Sequence, residues 1–206
     1  MKIKKYNRLN TAEPLEYVKG FVEFLGCNID LSKKPLIPRV ETEFWVGEAL
    51  KEIKGGRVLD IFCGSGCIGI AVQKHIKNSK VFFADIENRA VGQKVIKSDV
   101  FSNIKGKYDL IFANPPYIPT IKKGKVQNSV LKYEPHKALF AGKDGLFFIN
   151  KFLKQAKNHL NLDGVIYMEF DSPQKKAIDS LLKKYKYDSW EFHKDQYGKT
   201  RWVVIK

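Results

Sequence analysis

From residue 57 onward the chain alternates short apolar runs with amphipathic stretches, and the first junction between them carries three glycines. Arg57–Phe62 reads as a buried strand, Gly64-Ser65-Gly66-Cys67-Ile68-Gly69 as a tight turn, and Gly66–Lys77 as the helix it opens. Lys80–Asp85 is a second strand ending in an acid, and Lys94–Lys97 a short third. Tyr108–Ala113 is a fourth, running into Asn114-Pro115-Pro116-Tyr117. Residues 118–142 read as a long loop, Leu146–Leu160 as a helix and Gly164–Phe170 as a fifth strand. Pro173 opens a helix to Lys184, as proline does in a first helical turn. Trp190–His193 and Arg201–Ile205 pair as closing strands across Tyr197-Gly198. This alternation predicts an α/β chain with a mainly parallel sheet covered on both faces, because parallel neighbours are joined by crossovers. Ligands then bind at the carboxyl ends of the strands.

The first 40 residues read as an N-terminal extension, and residues 41–206 as the main domain. Residues 1–12 are polar and read as a loose end. Phe21–Phe24 and Cys27–Leu31 flank Gly26 as a short hairpin. Glu41–Lys54 has Phe44, Trp45, Leu50 and Ile53 roughly on one helical face, and Gly55-Gly56 stops it. A hydrophobic content of 44% excludes a mainly disordered chain. No run approaches the ~20 apolar residues of a membrane span. The N-terminus has charges but no apolar core, so no secretory leader or membrane partner is expected. Cys27, Cys63 and Cys67 make an odd count without framework spacing, which fits a reducing cytoplasm. Cys63 and Cys67 read as small loop-filling residues. His75, His136, His159 and His193 lack ligand spacing, so no metal is expected.

The net charge is +15, and residues 121–206 hold 18 basic against 9 acidic side chains. A basic field attracts polyanions, so attraction to RNA or the ribosome stays open. Only five of the 37 basic residues are arginine, the usual choice for bidentate phosphate contacts, so a solvated lysine-rich surface is an equal reading. Lys122, Lys123, Lys125, Lys132 and Lys137 fall in the long loop, as a solvated face or as a lid that meets an acidic or RNA-bound partner.

The glycine turn has two readings. G-x-G-x-x-G with Asp85 nineteen residues beyond Gly66 matches a dinucleotide fingerprint. Asp60, four residues ahead of Gly64, makes D-x-x-x-G-x-G, which resembles the cofactor loop of class I S-adenosylmethionine-dependent methyltransferases. That resemblance implies a Rossmann-like, mainly parallel seven-stranded sheet with a terminal antiparallel strand pair. It also implies that the glycine backbone meets the methionine end of the cofactor and that the acid ending the second strand holds the ribose. The family usually has glycine where this chain has Phe62.

Asn114-Pro115-Pro116-Tyr117 suits methylation of a planar, weakly nucleophilic nitrogen. The Asn114 side-chain carbonyl and the Pro115 backbone carbonyl can accept both N–H hydrogens of an amide or aromatic amine. Two prolines stiffen the loop, and Tyr117 can pack on a flat group.

Pro35-Leu36-Ile37-Pro38-Arg39-Val40-Glu41-Thr42-Glu43 resembles the I-P-R-x-E-T-E signature of release-factor glutamine methyltransferases of the HemK/PrmC type. Pro14–Gly20, Tyr133-Glu134-Pro135, Ala138-Leu139, Gly142–Leu146, Lys194-Asp195, Gly198 and Arg201–Val204 extend the resemblance over residues 14–206. It implies transfer of methyl from S-adenosylmethionine, leaving S-adenosylhomocysteine, to the glutamine of Gly-Gly-Gln in class I peptide chain release factors. By that resemblance Asp60, Phe62, Cys63, Gly64, Ser65, Gly66 and Asp85 hold cofactor. Asp99 and Val100 lie on its adenine side, where related enzymes can carry a large aromatic at the Val100 position. Asn114 touches cofactor and substrate, and Asn114, Pro115, Pro116 and Tyr117 clasp the glutamine. Arg39, Glu41 and Thr42 form a wall over the site.

Two departures stand out. The family usually has an N-terminal helical domain, and only about 13 residues precede the matching segment here. Asp85 and Asp99 are 14 apart, which leaves Glu87–Gln93 for a crossover that normally holds a helix, so a loop and a more open adenine pocket are expected. Three rivals stay open. One is another amide, such as a ribosomal-protein glutamine, against which Glu41-Thr42-Glu43 argues. The others are adenine N6 in nucleic acid, which the charge favours, and a non-catalytic cofactor-binding module.

Overall fold

The computed structural model describes residues 13–206, so the expectation for residues 1–12 lies outside the described residues. A five-residue helix α1 (Leu15–Lys19) ends at Gly20 and feeds an antiparallel hairpin, β1 (Phe21–Phe24) and β2 (Cys27–Asp30). Then follow α2 (Val40–Glu52), β3 (Gly56–Ile61), α3 (Cys67–His75), β4 (Ser79–Asp85), β5 (Val95–Lys97) and β6 (Tyr108–Ala113). The C-terminal part holds α4 (Asn128–Tyr133), α5 (Phe147–Ala156), β7 (Leu160–Glu169), α6 (Lys175–Lys184), β8 (Trp190–Lys194) and β9 (Thr200–Ile205).

Seven strands form one sheet in the order β5-β4-β3-β6-β7-β9-β8. The first five in that order run parallel, and β9 is antiparallel to both β7 and β8. The period of two in the strands divides the interior. Leu59, Ile61, Ile111, Ala113, Ile166 and Met168 face a core built with α5 and α6. Val58, Leu110, Phe112 and Tyr167 face the opposite core, with the hairpin, α2 and α3. Tyr17, Phe24, Ile29, Leu31 and Ile37 pack there beside Trp45 and Val72, so the first described stretch shares its core with the sheet.

Register brings the strand ends level. Ile61 stands opposite Ala84 on one side and Ala113 on the other, and Ala113 opposite Met168. The next row, Asp85, Phe62, Asn114 and Glu169, therefore marks the carboxyl ends of these four strands.

Several elements differ from the sequence reading. Residues 118–142 are no plain loop: Thr120–Lys125 and His136–Ala138 wind into 3-10 turns around α4, and Ile118 bridges to Phe140. These pieces are too short to show a helical period. Strand β7 starts at Leu160 rather than Gly164, with a register shift opposite Tyr108–Leu110, because α5 ends at Ala156 and a 3-10 turn carries the chain into the sheet. The connection from β4 to β5 holds no helix. It packs down all the same, with Ala90 fully buried. No helix among the described residues is long and apolar enough to cross a membrane.

The third glycine of the turn is required by packing. A Cβ on Gly69 would run into the Phe83 ring, with Cζ at 2.8 Å, and would sit 3.0 Å from Asp60 Oδ2. Overpacking of that kind costs about 1–3 kcal/mol. Gly69→Ala is therefore expected to lower the melting temperature by several degrees. An unchanged Tm would show that α3 can move off β4 freely.

Candidate active site

The turn after β3 needs left-handed backbone at three positions. Phe62 has φ 60°, Gly64 51° and Gly66 80°. A glycine adopts this region without a Cβ penalty, which explains the usual glycine at the Phe62 position. Here the phenyl ring compensates by packing 6.2 Å from Phe148 and 6.1 Å from Phe152, centroid to centroid. Val100, with φ 56°, is a second strained position on the same cleft. A β-branched residue there is uncommon, and the Ser98 hydroxyl secures it by donating to the Val100 carbonyl at 2.7 Å.

Two acids serve the turn, Asp85 half-buried and Asp60 fully buried. Asp85 accepts from Gly64 N–H at 2.9 Å through Oδ2 and from Glu87 N–H at 3.0 Å through Oδ1. Burial raises its pKa, and those N–H bonds oppose the rise. Asp60 is fully buried behind the turn. Its Oδ2 accepts from Gly69 N–H at 2.9 Å, while Oδ1 has no partner. Burial pushes its pKa up to about 7, with the Asp85 charge adding to the rise. The two thiols in the turn are raised as well, chiefly by burial, Cys67 to about 12, so both stay protonated.

These groups border a cleft at the strand ends. Phe62, Cys63, Gly64, Ser65, Asp85, Asp99, Val100, Asn114 and Pro116 line it, with Arg39 and Thr42 on the opposite wall. Asp60 and Gly66 lie outside that lining. A second cleft adjoins it, lined by Pro115, Tyr117, Glu169, Val126, Gln127 and Val130. Asn114, Arg39, Leu36 and Ala138 line both clefts, so Asn114 stands at their junction. Glu41, expected in the wall, borders neither. It sits in the first turn of α2, one residue before Thr42, which faces the site. Among the described residues no cluster of three His, Cys, Asp or Glu side chains could hold a metal ion.

The roof is tied by charge. Arg39 pairs with Glu134 at 2.7 Å, and the other Glu134 oxygen accepts from Ile37 N–H at 3.0 Å. Lys137 reaches Glu87 at 3.2 Å, Glu87 pairs with Arg89 at 2.7 Å, and Arg89 donates to the carbonyls of Lys33 and Lys34.

Below the junction lies Glu169, 1% exposed. Its Oε2 accepts from Thr42 Oγ1 at 2.6 Å and Trp45 Nε1 at 2.7 Å, and its Oε1 from the Tyr117 hydroxyl at 3.0 Å. Burial raises the Glu169 pKa against those three donors and Arg201. Burial likewise holds the Tyr117 phenol well above its ordinary value. Gln174 Nε2 secures the same loop by donating to the carbonyls of Tyr117, at 3.0 Å, and Gly145, at 3.1 Å. Sequence reading gave no role to Glu169 or Gln174. The signal for Glu169 was an acid at the end of the apolar run Gly164–Phe170.

Residues 41–138 match the Methyltransferase small domain family. The chain is 36% identical to the release factor glutamine methyltransferase of Lactococcus lactis, covering 97% of this chain and 79% of that protein. It is 37% identical to the enzyme of the same name from Clostridium botulinum, covering 94% and 75%. Among solved structures, the protein-(glutamine-N5) methyltransferase (release factor-specific) of Alicyclobacillus acidocaldarius matches with TM-score 0.53 and 22% identity, over 82% of this chain and 93% of that one. The E. cuniculi Mtq2–Trm112 complex matches with TM-score 0.60 and 18% identity, over 82% and 96%. These structural likenesses show a class I methyltransferase fold, and the sequence identities show that the chain belongs to the release factor glutamine methyltransferase family.

Proposed function

We propose that the protein methylates the side-chain amide nitrogen of the glutamine in the Gly-Gly-Gln motif of class I peptide chain release factors, with S-adenosylmethionine as methyl donor. The observation that carries this reading is the position of Asn114 at the junction of the two clefts. One cleft has the features of a donor site and the other those of an acceptor site, and the tetrapeptide lies between them. Such an enzyme works in the cytoplasm, where its substrate acts in translation.

The residues of the first cleft fit the cofactor. Behind the glycine turn and outside the lining, Asp60 keeps Oδ1 unpartnered, and once ionised its field favours a cationic ligand. Asp85 ends its strand with a carboxylate able to accept from ribose hydroxyls. Phe62, Ile86, Val100 and Phe148 supply apolar wall for a flat base. When bound, the sulfonium supplies an activated methyl group, so no protein nucleophile is needed.

The chain's own task is to hold the acceptor. An amide nitrogen has its lone pair delocalised into the carbonyl. The Asn114 Oδ1 and the Pro115 carbonyl can accept its two N–H hydrogens, which fixes the nitrogen and favours positive charge there as the new bond forms. Pro115 and Pro116 are buried and donate no N–H that would compete. The Tyr117 ring lines the acceptor cleft, its hydroxyl tied to Glu169.

Removing one preorganised polar contact of this kind typically lowers kcat by about 10²–10³. Asn114→Ala is expected to lose at least that much turnover on purified release factor while keeping the wild-type melting curve. Transfer is expected to vanish when the glutamine of Gly-Gly-Gln is replaced by alanine; labelling that persists on that variant would overturn the assignment. A proton linkage follows from Asp60. Below about 7 the folded protein holds this carboxyl protonated, and a cationic ligand favours the ionised form. Cofactor affinity, measured by calorimetry between pH 6 and 7.5, is expected to strengthen with rising pH by up to about tenfold per unit. Asp60→Asn is expected to flatten that dependence, and parallel profiles for the two proteins would rule the linkage out.

A further inference from the structure

Asn114 can serve as an acceptor only in one of its two amide orientations. Turned the other way, it would present an NH2 group to the substrate N–H bonds and repel them. The two orientations have nearly the same shape, so packing alone does not choose between them.

We propose that Glu169 is a positioning residue which, acting through Thr42, holds the Asn114 amide with Nδ2 turned inward and Oδ1 turned toward the junction of the clefts. Hydrogen-bond accounting carries this assignment. The indole Nε1 of Trp45 can only donate, and it lies 2.7 Å from Glu169 Oε2. Oε2 is therefore an acceptor. The Thr42 hydroxyl, 2.6 Å from the same oxygen, commits its single proton there. What remains on Thr42 Oγ1 is lone pairs. The Asn114 atom that faces it, at 3.3 Å, must then be the amide nitrogen. A carbonyl oxygen in that place would set lone pairs against lone pairs.

With Glu169 ionised both its oxygens only accept, and a proton taken up on Oε1, beside the Tyr117 hydroxyl at 3.0 Å, would leave Oε2 accepting from Trp45 and Thr42. Thr42 and Glu169 are 2% and 1% exposed, so water does not offer Thr42 another partner. Register supports the chain of contacts. Ala113 and Met168 are paired across β6 and β7, so Asn114 and Glu169 follow side by side at the strand ends, and α2 brings Thr42 to both and Trp45 to Glu169. Thr42 also lines the first cleft, and valine, with the same branched shape, removes the hydroxyl that fixes the amide while leaving that wall filled.

The inference rests on the proposed glutamine transfer, and its test has one readout that does not. In the free protein, NMR is expected to show a nuclear Overhauser contact between the Asn114 side-chain NH2 and the Thr42 side chain. Glu169→Gln, whose carbonyl can still accept from Trp45 and Thr42, is expected to keep that contact, and Glu169→Ala to lose it. In turnover, Thr42→Val is expected to lower kcat by about 10- to 100-fold. Because valine keeps the shape of the cleft wall, the loss is expected to fall on kcat more than on KM for release factor. Thr42→Ser, which restores the hydroxyl, is expected to recover most of the rate. Absence of the contact in the wild-type protein, a wild-type rate in Thr42→Val, or a Thr42→Ser variant as slow as Thr42→Val would each overturn the proposal. If the Glu169→Ala protein fails to fold, the Thr42 variants and the wild-type contact still decide it. A wild-type protein that shows the contact yet transfers no methyl to release factor counts against the proposed function and leaves the orientation standing.

Discussion

Hydrogen-bond register across β4, β3, β6 and β7 sets Ala84, Ile61, Ala113 and Met168 in one row, so the residues that follow them stand level at the strand ends. The placement of Asp85, Asn114 and Glu169 depends on that alignment. Side chains alternate faces along a strand, and a slip of one residue would turn Asn114 and Glu169 into the core packed by α5 and α6. The register is held by apolar residues rather than by the site. Leu59, Ile111 and Ile166 are fully buried on one face, and Val58 and Phe112 on the other. The chemistry is thus borne on a scaffold whose stability does not rest on it.

The row carries an electrostatic load. Asp60, Asp85 and Glu169 are carboxyls whose pKa values are all raised by burial. Their compensation differs. Asp85 and Glu169 collect backbone and side-chain donors, whereas Asp60 keeps one oxygen unpaired. An uncompensated buried acid works against the ligand-free fold. The left-handed Phe62 and Val100 add backbone strain beside the same cleft, of order 1–3 kcal/mol each. Strain and an unpaired buried carboxyl therefore gather around the glycine turn, while the cleft around Glu169 is saturated with hydrogen bonds. On the proposed function, a cationic ligand would relieve the first, and the second would give a rigid frame for the acceptor nitrogen.

The sheet and its loops were legible because their signals are local. A glycine turn after an apolar run, and Asn-Pro-Pro-Tyr after another, lie within a few residues of the strands that place them. The partners that hold the site are distant in the chain. Arg39 meets Glu134 across 95 positions, and Thr42 meets Glu169 across 127. No periodicity reports such pairs. Glu41 and Thr42 show the limit of a motif read as a unit. Successive helical positions point about 100° apart, so of two neighbours only Thr42 reaches the clefts. The 118–142 segment was misread as loop because α4 and its flanking turns span six residues or fewer each, less than the two turns a helical pattern needs. Phe62 replaces a glycine, yet the turn keeps its left-handed shape, since two aromatic neighbours hold the ring.

The short β4–β5 connection suggested an adenine side left open, and the geometry gives the loop a different part. Without a helix, residues 86–94 fold back over the glycine turn, and the Ala90 Cβ comes within 3.0 Å of where a side chain on Gly66 would begin. That contact bars any larger residue at Gly66 and ties the loop to the turn. From the loop, Glu87 bonds both Arg89 and Lys137, and Arg89 reaches the Lys33 and Lys34 carbonyls. Three segments far apart in sequence thus meet over the cleft through charged, partly exposed groups. Pairs of this kind contribute about 0–1 kcal/mol each, far less than the apolar contacts that a crossover helix would bury. The row of strand ends below is fixed by the core, whereas this side of the roof rests on partly exposed ion pairs, in contrast to the buried Glu134 that Arg39 and Ile37 hold on the other.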